Sequence, residues 1–402
     1  MRGKIGILFA AAMLAAEAAG GKALTYSAHS RAVYLESGDG EKSLYEHQWA
    51  LKNEGQIKLV ERAGGNVLMS GSWVDSNIGS TEDIIQITSG VPGLDIGVEP
   101  AWEVYAQSSV RRPVVIALID TGVDVGHPDL YPGIWRNPGE IPGDGIDNDG
   151  NGYIDDIYGW NFCDNNNILY TGIEDDHGTH AAGTMIGCWD GKGITGIADS
   201  TYVKVMVLKA LGADGKGDSK DVIAAVQYAK ANGAQICNLS FGANTYDPQL
   251  DKVIRDSGML FVISSGNGDE SGAGIDIDKV PMYPASFSDN NIISVANMVF
   301  DGSLHPSSNY GMWSVDIAAP GSYILSTASN HGYGYMTGTS MAAPMVSGAA
   351  ALIASCRDDL SVTEIQEALV SSARKIEGLE GKVSTGGMLD VYGAITYQKR
   401  RE

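Results

Sequence analysis

Short apolar runs alternate with stretches of helical periodicity from Val114 onward, and this alternation limits the fold more than any other feature of the chain. Two of the intervening stretches, Ser219–Asn232 and Asp247–Ser257, are predicted helices that end beside a glycine, as helices commonly do. Strands and helices that alternate at this spacing form parallel sheets, because a parallel connection needs a crossover. We therefore expect an α/β fold, a three-layer parallel sheet with helices on both faces and its chemistry at the carboxyl ends of the strands. The runs predicted as strands are Val114–Ile119, Val203–Leu208, Ala234–Leu239, Leu260–Ser264 and Ile292–Val295.

The composition supports one large domain and argues against several classes of protein. The 402 residues are 44% hydrophobic, which is enough for a substantial core. The 27 basic and 49 acidic residues give a net charge of -22, so phosphate backbones and anionic lipid are repelled. We expect no apolar stretch long enough to span a bilayer, and four cysteines are too few for a disulfide scaffold. We expect a monomer without nucleic-acid or membrane partners.

Residues 1–23 have the pattern of a secretory signal peptide. Arg2 and Lys4 form a basic start, Ile5–Ala16 an apolar core, and Ala16-Glu17-Ala18 a small-x-small cleavage site. Residues 24–45 are then a short linker or pro-segment, 46–398 the main domain and 399–402 a tail. We expect the mature protein to be secreted, soluble and extracellular.

Four segments carry residues that suit acyl transfer. Asp120 ends an apolar strand, His177 begins a helix, Asn267 ends another strand, and Ser340 sits on a sharp turn before an Ala- and Gly-rich helix. A serine hydroxyl is a weak nucleophile until a histidine accepts its proton. That histidine needs a buried carboxylate to fix its tautomer, and the oxyanion of the tetrahedral intermediate needs neutral donors. The four residue types together predict nucleophilic catalysis.

These segments resemble those of the subtilisin-like serine peptidases. The similarity covers roughly Tyr45–Tyr397 and follows the order Asp, His, Ser that subtilisin has. It implies that 46–398 is a subtilisin-like peptidase domain, a secreted serine endopeptidase that cleaves proteins through an acyl-enzyme. Asp120 would be the orienting carboxylate, His177 the general base and Ser340 the nucleophile, with Asn267 as the side-chain oxyanion donor beside the Ser340 backbone N–H. The motifs are ALIDTGVD (117–124), DHGTHAAG (176–183), ISSGNG (263–268) and GTSMAAP (338–344).

The resemblance also implies a groove in which an extended peptide is clamped as an added strand between two edges. Backbone pairing of this kind ignores side chains and explains broad specificity toward protein and peptide substrates. The implied groove residues are Gly215, Lys216 and Gly217 on one edge, and Ser240, Phe241, Gly242, Ser264, Ser265 and Gly266 on the facing edge and the walls of the first pocket.

The preference of that first pocket stays open at this point. A floor near Gly268 would favour large apolar residues, whereas Asp276 and Asp278 would favour basic ones if they point inward. Two positions depart from the family pattern, Ala181 where Val is common and Met345 where His is common, and both are packing positions. Met341, beside the nucleophile, matches a family methionine.

An acidic loop predicts a calcium site. Its spacing fits an EF-hand-type loop that starts at Asp147, but position 12, which is ordinarily a Glu, is Tyr158. Asp156 or a distant carboxylate must therefore complete the site. A second calcium site is implied by the resemblance, with Asp129 and Asp190 as ligands. The predicted Ca²⁺ ligands in the acidic loop are Asp147, Asp149, Asn151, Tyr153 and Asp156.

Other interpretations of the catalytic motifs remain at this point. An aspartic protease would pair Asp120-Thr-Gly122 with Asp256-Ser-Gly258, but it would leave the His and Ser motifs unused. A catalytically silent peptide-binding fold and a calcium-dependent structural module are two further alternatives. His180 follows His177 by three residues without a third ligand at metal spacing, so we interpret it as a packed, hydrogen-bonded histidine.

The cysteines and residues 24–110 leave two further questions. Cys163 and Cys188 could form a disulfide, whereas Cys237 is expected to be a buried free thiol. Residues 24–110 could contain a divergent pro-domain. We expect instead that 46–110 belongs to the catalytic domain, on the strength of Gln48–Leu51 and Glu99–Trp102.

Overall fold

A computed structural model describes residues 23–25, 33–34, 41–62, 67–70, 84–269 and 271–398. The predicted signal peptide up to residue 22 and the predicted tail 399–402 lie outside the described residues. The strands are β1 (Ala23–Thr25), β2 (Val33–Tyr34), β3 (Lys58–Arg62), β4 (Val67–Ser70), β5 (Ile84–Ser89), β6 (Val114–Asp120), β7 (Gly159–Asn161), β8 (Val203–Lys209), β9 (Lys216–Asp218), β10 (Ile236–Leu239), β11 (Leu260–Ser264), β12 (Ile292–Met298), β13 (Ile317–Pro320), β14 (Ile324–Ala328), β15 (Gly332–Met336), β16 (Arg374–Lys375) and β17 (Gly387–Met388). The helices are α1 (Val98–Gln107), α2 (Asp176–Ile186), α3 (Ser219–Ala231), α4 (Pro248–Arg255), α5 (Thr339–Cys356), α6 (Val362–Ser371) and α7 (Val391–Ile395).

A nine-stranded sheet forms the middle of the fold, in the order β16-β17-β13-β12-β11-β10-β6-β8-β7. Its pairs are parallel except β16–β17 at one edge. All five runs predicted as strands belong to this sheet, as β6, β8, β10, β11 and β12, and the two predicted helices are α3 and α4. The predicted α/β class is confirmed. The neighbours β6, β10 and β11 bring functional segments to one edge of the sheet, because parallel strands share their carboxyl ends.

Helix α5 runs through the core of the molecule. It contacts β10, β11, β12 and β13 on the sheet and α2 beside it. By length and composition it could cross a membrane, and it is entirely buried inside the protein. The expectation that no stretch reaches this length is therefore wrong. A helix that is buried on every side needs apolar residues all the way round, and this requirement accounts for its composition.

The segment before β6 packs into the same core. Trp49 is 1% exposed, and its indole N–H donates to the carbonyl of Ser322 at 3.0 Å. Val98, Ala101 and Tyr105 of α1 are buried as well. Between these parts, β3 pairs with β4 and β5 in a small antiparallel sheet. Part of 46–110 thus belongs to the same hydrophobic core as the central sheet and α5.

Two short strands near the N-terminus join sheet edges elsewhere in the fold. The backbone of β1 pairs antiparallel with β9, with Leu24 opposite Gly217 and Thr25 opposite Lys216. The backbone of β2 pairs antiparallel with β15, which lies just before the α5 motif.

Candidate active site

Asp120 and His177 form a hydrogen-bonded pair at the carboxyl end of β6. Oδ1 of Asp120 lies 2.7 Å from Nδ1 of His177, and the Asp120 side chain is only 1% exposed. Oδ1 also accepts the Thr121 backbone N–H at 2.7 Å. A carboxylate cannot donate, so the shared proton sits on Nδ1 and Nε2 is left as the basic nitrogen. The buried pair therefore selects the tautomer that a general base needs.

A glycine lets this pair form. Gly178 follows His177 in the first turn of α2, where a Cβ would lie 2.1 Å from the carbonyl oxygen of Gly122 and 3.3 Å from Cβ of Asp120. No side chain fits at that spacing. The absence of a side chain at Gly178 lets the start of α2 approach the end of β6 closely enough for the hydrogen bond between His177 and Asp120.

Ser340 lies in the first turn of α5, the helix that packs against α2. Its hydroxyl donates to the carbonyl of Ser240 at 3.1 Å, and its own carbonyl accepts the Ser240 hydroxyl at 3.2 Å. These two bonds join the start of α5 to the segment after β10. The backbone N–H groups of a first helical turn have no partner within the helix, so they are suited to a developing negative charge.

Asn267 is oriented by the residue just before Ser340. Its Oδ1 accepts the backbone N–H of Thr339 at 2.8 Å and the Thr339 hydroxyl at 2.9 Å. Because the oxygen end of the amide is held in this way, Nδ2 is the end that can donate to an oxyanion. The side chain is 5% exposed, a setting in which such a donor is strongest.

A buried ion pair adjoins the segments that carry Asp120 and His177, and the sequence analysis missed it. Lys209, the residue opposite Asp120 in the β6–β8 register, donates from Nζ to the Asp175 carboxylate and to the Thr121 carbonyl. The side chains of Lys209 and Asp175 are 4% and 0% exposed. Lys209 thereby links the backbone after Asp120 to the residue that precedes α2. The sequence feature that could have revealed this ion pair is a lysine at the end of an apolar strand.

The segments predicted to form the groove follow or end two neighbouring strands of the sheet, or lie in and just before β9. Residues 240–242 follow β10 and residues 264–266 end or follow β11, and these two strands are adjacent in the sheet. Gly215 precedes β9, which contains Lys216 and Gly217. The sequence analysis also missed Asn309, which is fully buried, donates from Nδ2 to the Ser265 carbonyl at 2.9 Å and accepts the Gly268 N–H at 2.9 Å. Asn309 therefore fixes the course of the segment that carries Asn267.

Comparison with known proteins decides the family. The family model described as the subtilase family matches residues 111–394. The chain belongs to the subtilase family. It is 33% identical to the thermophilic serine proteinase of Bacillus sp. (strain AK1) over 349 residues, 84% of this chain and 73% of that protein. It is 31% identical to thermitase of Thermoactinomyces vulgaris over 301 residues, 74% of this chain and 92% of that protein.

A subtilisin-like protease of Plasmodium is similar as well. The chain is 32% identical to subtilisin-like protease 1 of Plasmodium berghei (strain Anka) over 321 residues, which is 75% of this chain. The match spans about half of that relative, 53% of its length.

The acidic loop of this subtilase gathers three carboxylates. Oxygens of Glu140, Asp147 and Asp149 lie within 4.8 Å of one another. Glu140, which the sequence analysis missed, is 8% exposed and accepts the backbone N–H groups of Asn148 at 2.7 Å and Asp155 at 3.0 Å. It is a carboxylate from outside the twelve-residue loop pattern, and for that reason the pattern did not predict it.

Asp156 of the same loop has other partners. It is fully buried, and its oxygens accept Nδ2 of Asn137 at 2.8 Å, Nδ2 of Asn151 at 2.9 Å and the hydroxyl of Tyr228. Asn151 also accepts the Tyr153 backbone N–H at 2.8 Å. The structure therefore brings Asp147 and Asp149 together with Glu140, while Asp156 anchors the loop to α3.

The second expected calcium site surrounds the loop after α2. Oδ2 of Asp129 accepts the backbone N–H of Ile194 at 3.0 Å and the Tyr333 hydroxyl at 2.9 Å. Burial outweighs these donors and raises the pKa of the Asp129 carboxyl to about 6. Asp190 accepts the Lys192 backbone N–H at 2.9 Å within the same loop. Both predicted ligands lie beside this loop, where the Asp129 carboxylate already accepts two hydrogen bonds.

The structure contradicts the disulfide alternative. Cys163 and Cys188 are both free cysteines. Cys188 is buried against the Pro128 carbonyl and the Ser200 hydroxyl, each 4.0 Å from its sulfur. Cys237 is the buried free thiol that the sequence predicted, and burial raises its pKa.

The aspartic protease alternative is also excluded by geometry. Asp256 lies at the exposed end of α4 and pairs with Lys252, while Asp120 is engaged by His177. Two carboxylates that share one proton must lie side by side in a protected site. His180 is a packed residue as predicted, with Nε2 2.8 Å from the Ile324 carbonyl and its pKa lowered to about 4 by burial.

The two packing positions named from the sequence are buried, and so is Met341 beside Ser340. Met341 is 1% exposed, Ala181 0% and Met345 2%. The two departures from the family pattern, Ala181 and Met345, therefore change packing around the site.

Proposed function

We propose that this subtilase is a serine endopeptidase that hydrolyses peptide bonds in proteins through Asp120, His177 and Ser340. The observation that carries the proposal is the 2.7 Å hydrogen bond between the buried Asp120 carboxylate and Nδ1 of His177, on a helix that packs against the helix of Ser340. The relatives named as a serine proteinase and a subtilisin-like protease support the same activity.

The reaction follows from these positions. His177 removes the Ser340 proton through Nε2 as the hydroxyl attacks the scissile carbonyl, and Asp120 stabilises the imidazolium that forms. Nδ2 of Asn267 and the backbone N–H of Ser340 donate to the oxyanion of the tetrahedral intermediate. The imidazolium then protonates the leaving amine, and water hydrolyses the acyl-enzyme by the same steps in reverse order.

The substrate is an extended segment of a protein or peptide. The edge formed by Gly215, Lys216 and Gly217 would pair with its backbone, opposite the edge formed by Ser240, Phe241 and Gly242. Support comes from β1, an extended segment of the chain itself, whose backbone pairs antiparallel with Lys216–Asp218. An edge that accepts one strand through its backbone can accept others of different sequence.

Residues 24–45 would act as a short pro-segment. The backbone of β1 occupies the proposed substrate edge, and the backbone of β2 pairs with β15 just before the nucleophile motif. A segment with these two contacts would compete with substrate until it is removed. The sequence pattern of residues 1–23 supports secretion, and the main domain would run over 46–398 as a monomer.

Calcium would stabilise the folded enzyme. Glu140, Asp147 and Asp149 offer the hard oxygen donors that Ca²⁺ prefers, and their mutual distances within 4.8 Å fit one ion. An ion bound there would offset two of the three adjacent negative charges and fix the loop. Asp129 and Asp190 are the proposed ligands of a second ion, which would compete with two hydrogen-bond donors for Asp129.

Hydrolysis of a denatured protein tests the activity. Purified wild type and Ser340→Ala are incubated with reduced, alkylated casein, and new amino groups are counted over time. The proposal predicts steady release of peptides by the wild type and none above background by Ser340→Ala. Equal release by both variants, or release by neither after the N-terminal segment has been removed, would contradict it.

A further inference from the structure

Two glycines define the walls of the proposed first pocket. Gly242 follows β10 and Gly266 follows β11, each three residues beyond the paired residues Leu239 and Ile263. The two segments therefore leave the sheet at the same edge, just past the ends of the paired strands. Because neither glycine carries a side chain, the space between them is a slot bounded by backbone, and a substrate side chain could enter it.

Met282 projects into this slot. A Cβ on Gly242 would lie 3.1 Å from Cγ of Met282 and 3.4 Å from its sulfur, and a Cβ on Gly266 would lie 3.7 Å from the same Cγ. One methionine carbon is thus in contact range of both walls. These two distances together place the Met282 side chain between the two glycines.

The backbone around Met282 holds it there. Tyr283 and Ala243 exchange two backbone hydrogen bonds, each 2.7 Å long, which tie the segment to the wall at Gly242. The Met282 backbone carbonyl accepts the Ser286 backbone N–H at 2.7 Å, and the Met282 backbone N–H donates to the Ser286 hydroxyl at 3.1 Å. The methionine therefore enters the slot from a fixed position.

The two alternatives that the sequence left for this pocket do not fit the structure. Asp276 pairs with Lys279 at 2.7 Å, and the Asp278 carboxylate accepts the backbone N–H groups of Trp313 and Ser314 at 3.1 and 2.8 Å. Both carboxylates thus already have partners of their own, which removes the basis for a basic preference. Gly268 packs against the backbone of Ala273 so closely that a Cβ on Gly268 would lie 2.4 Å from that carbonyl oxygen, and it cannot be a roomy floor.

We propose that Met282 closes the inner end of the first specificity pocket and restricts the residue before the scissile bond to small side chains. This inference rests on the proposed peptidase activity and names the substrate class of that same site. A pocket that already holds a methionine accommodates Ala, Ser or Gly, while Phe or Leu would have to displace the Met282 side chain from between the walls. Discrimination by one methylene in an apolar pocket is worth roughly 10- to 200-fold in kcat/KM.

The test compares wild type with Met282→Gly on two chromogenic tetrapeptides that differ only in Ala or Phe before the cleaved bond. We expect wild type to prefer Ala, and Met282→Gly to raise the Phe-to-Ala ratio of kcat/KM by at least roughly tenfold. Met282→Leu keeps the volume and should keep the wild-type ratio. Met312→Ala, a change at a half-exposed methionine, serves as the control for purification and handling and should also leave the ratio unchanged.

An unchanged ratio in Met282→Gly, with hydrolysis of both peptides, would overturn the role of Met282 and leave the peptidase activity intact. Failure to hydrolyse any peptide would overturn the proposed activity, and this inference with it. A second measurement needs no variant. Cleavage sites in a denatured protein, mapped by mass spectrometry with wild type, should follow small residues, and a majority after Phe, Tyr or Leu would contradict the proposal.

Discussion

Replacing Lys209 with methionine should destabilise the protein by about 3–5 kcal/mol, the cost of leaving a buried charge without its partner. The side chains of Lys209 and Asp175 are 4% and 0% exposed, so neither charge is compensated by solvent. The remaining partner of Asp175 is Thr171, whose backbone N–H and hydroxyl donate to the other carboxylate oxygen. Those neutral donors cannot replace an ammonium group inside the protein.

Urea unfolding followed by tryptophan fluorescence measures this loss. All variants carry Ser340→Ala, which prevents self-digestion during the experiment. The double variant Lys209→Met with Asp175→Asn removes both charges, and it should recover most of the lost free energy because an apolar or neutral pair of similar volume is tolerated. Lys252→Met breaks an exposed ion pair on α4 and is the matched control, with no measurable change expected in the urea midpoint.

Two results would refute this reasoning. One is a loss below about 1 kcal/mol in Lys209→Met, which would mean that the Asp175 charge reaches solvent or is neutralised without cost. The other is a double variant as unstable as the single one, since the loss would then come from packing of the lysine stem.

Three further predictions follow from the site and the core. Asp120→Asn should lower kcat about 10⁴-fold with little change in KM, measured on a chromogenic peptide, and a loss below about tenfold would contradict the assigned role. Chelation of calcium should lower the melting temperature of wild type, and the decrease should be smaller in Glu140→Gln. Equal melting temperatures of wild type with and without chelator would contradict the calcium proposal. Burial raises the pKa of Asp316 to about 6. The protonated carboxyl therefore stabilises the folded protein fully below about pH 4, and this contribution is lost as the pH rises through about 6. Asp316→Asn should therefore melt higher than wild type at pH 7 but not at pH 4, and equal melting temperatures at pH 7 would contradict this sign.

The sequence predicted the strands well where they are buried on both faces. Leu260–Ser264 is observed with the predicted bounds, and the predicted run Val114–Ile119 extends by one residue to Asp120. A parallel strand that is buried on both faces is a continuous apolar run, so its position can be recognised from the local sequence alone. The three short strands over 58–89 were not predicted, since their apolar residues form no comparable run.

The residues proposed for catalysis can be recognised in the sequence for a similar reason. Asp120, His177, Asn267 and Ser340 each stand in a compact motif, and the parallel topology gathers strand ends without further information. Three other contacts could not be predicted from any local motif. Glu140 joins a loop from outside its repeat pattern, Lys209 bonds to a residue 34 positions earlier, and Met282 enters a slot made by two other segments. Such contacts depend on how loops pack together in three dimensions.

The central claim is that Ser340 is an activated nucleophile, and covalent labelling tests it most directly. The purified protein is treated with phenylmethanesulfonyl fluoride and its intact mass is recorded, with Ser340→Ala handled in parallel. The account predicts a single sulfonyl adduct on wild type and none on Ser340→Ala. No adduct on wild type lacking the N-terminal segment, or the same adduct on both proteins, would contradict it.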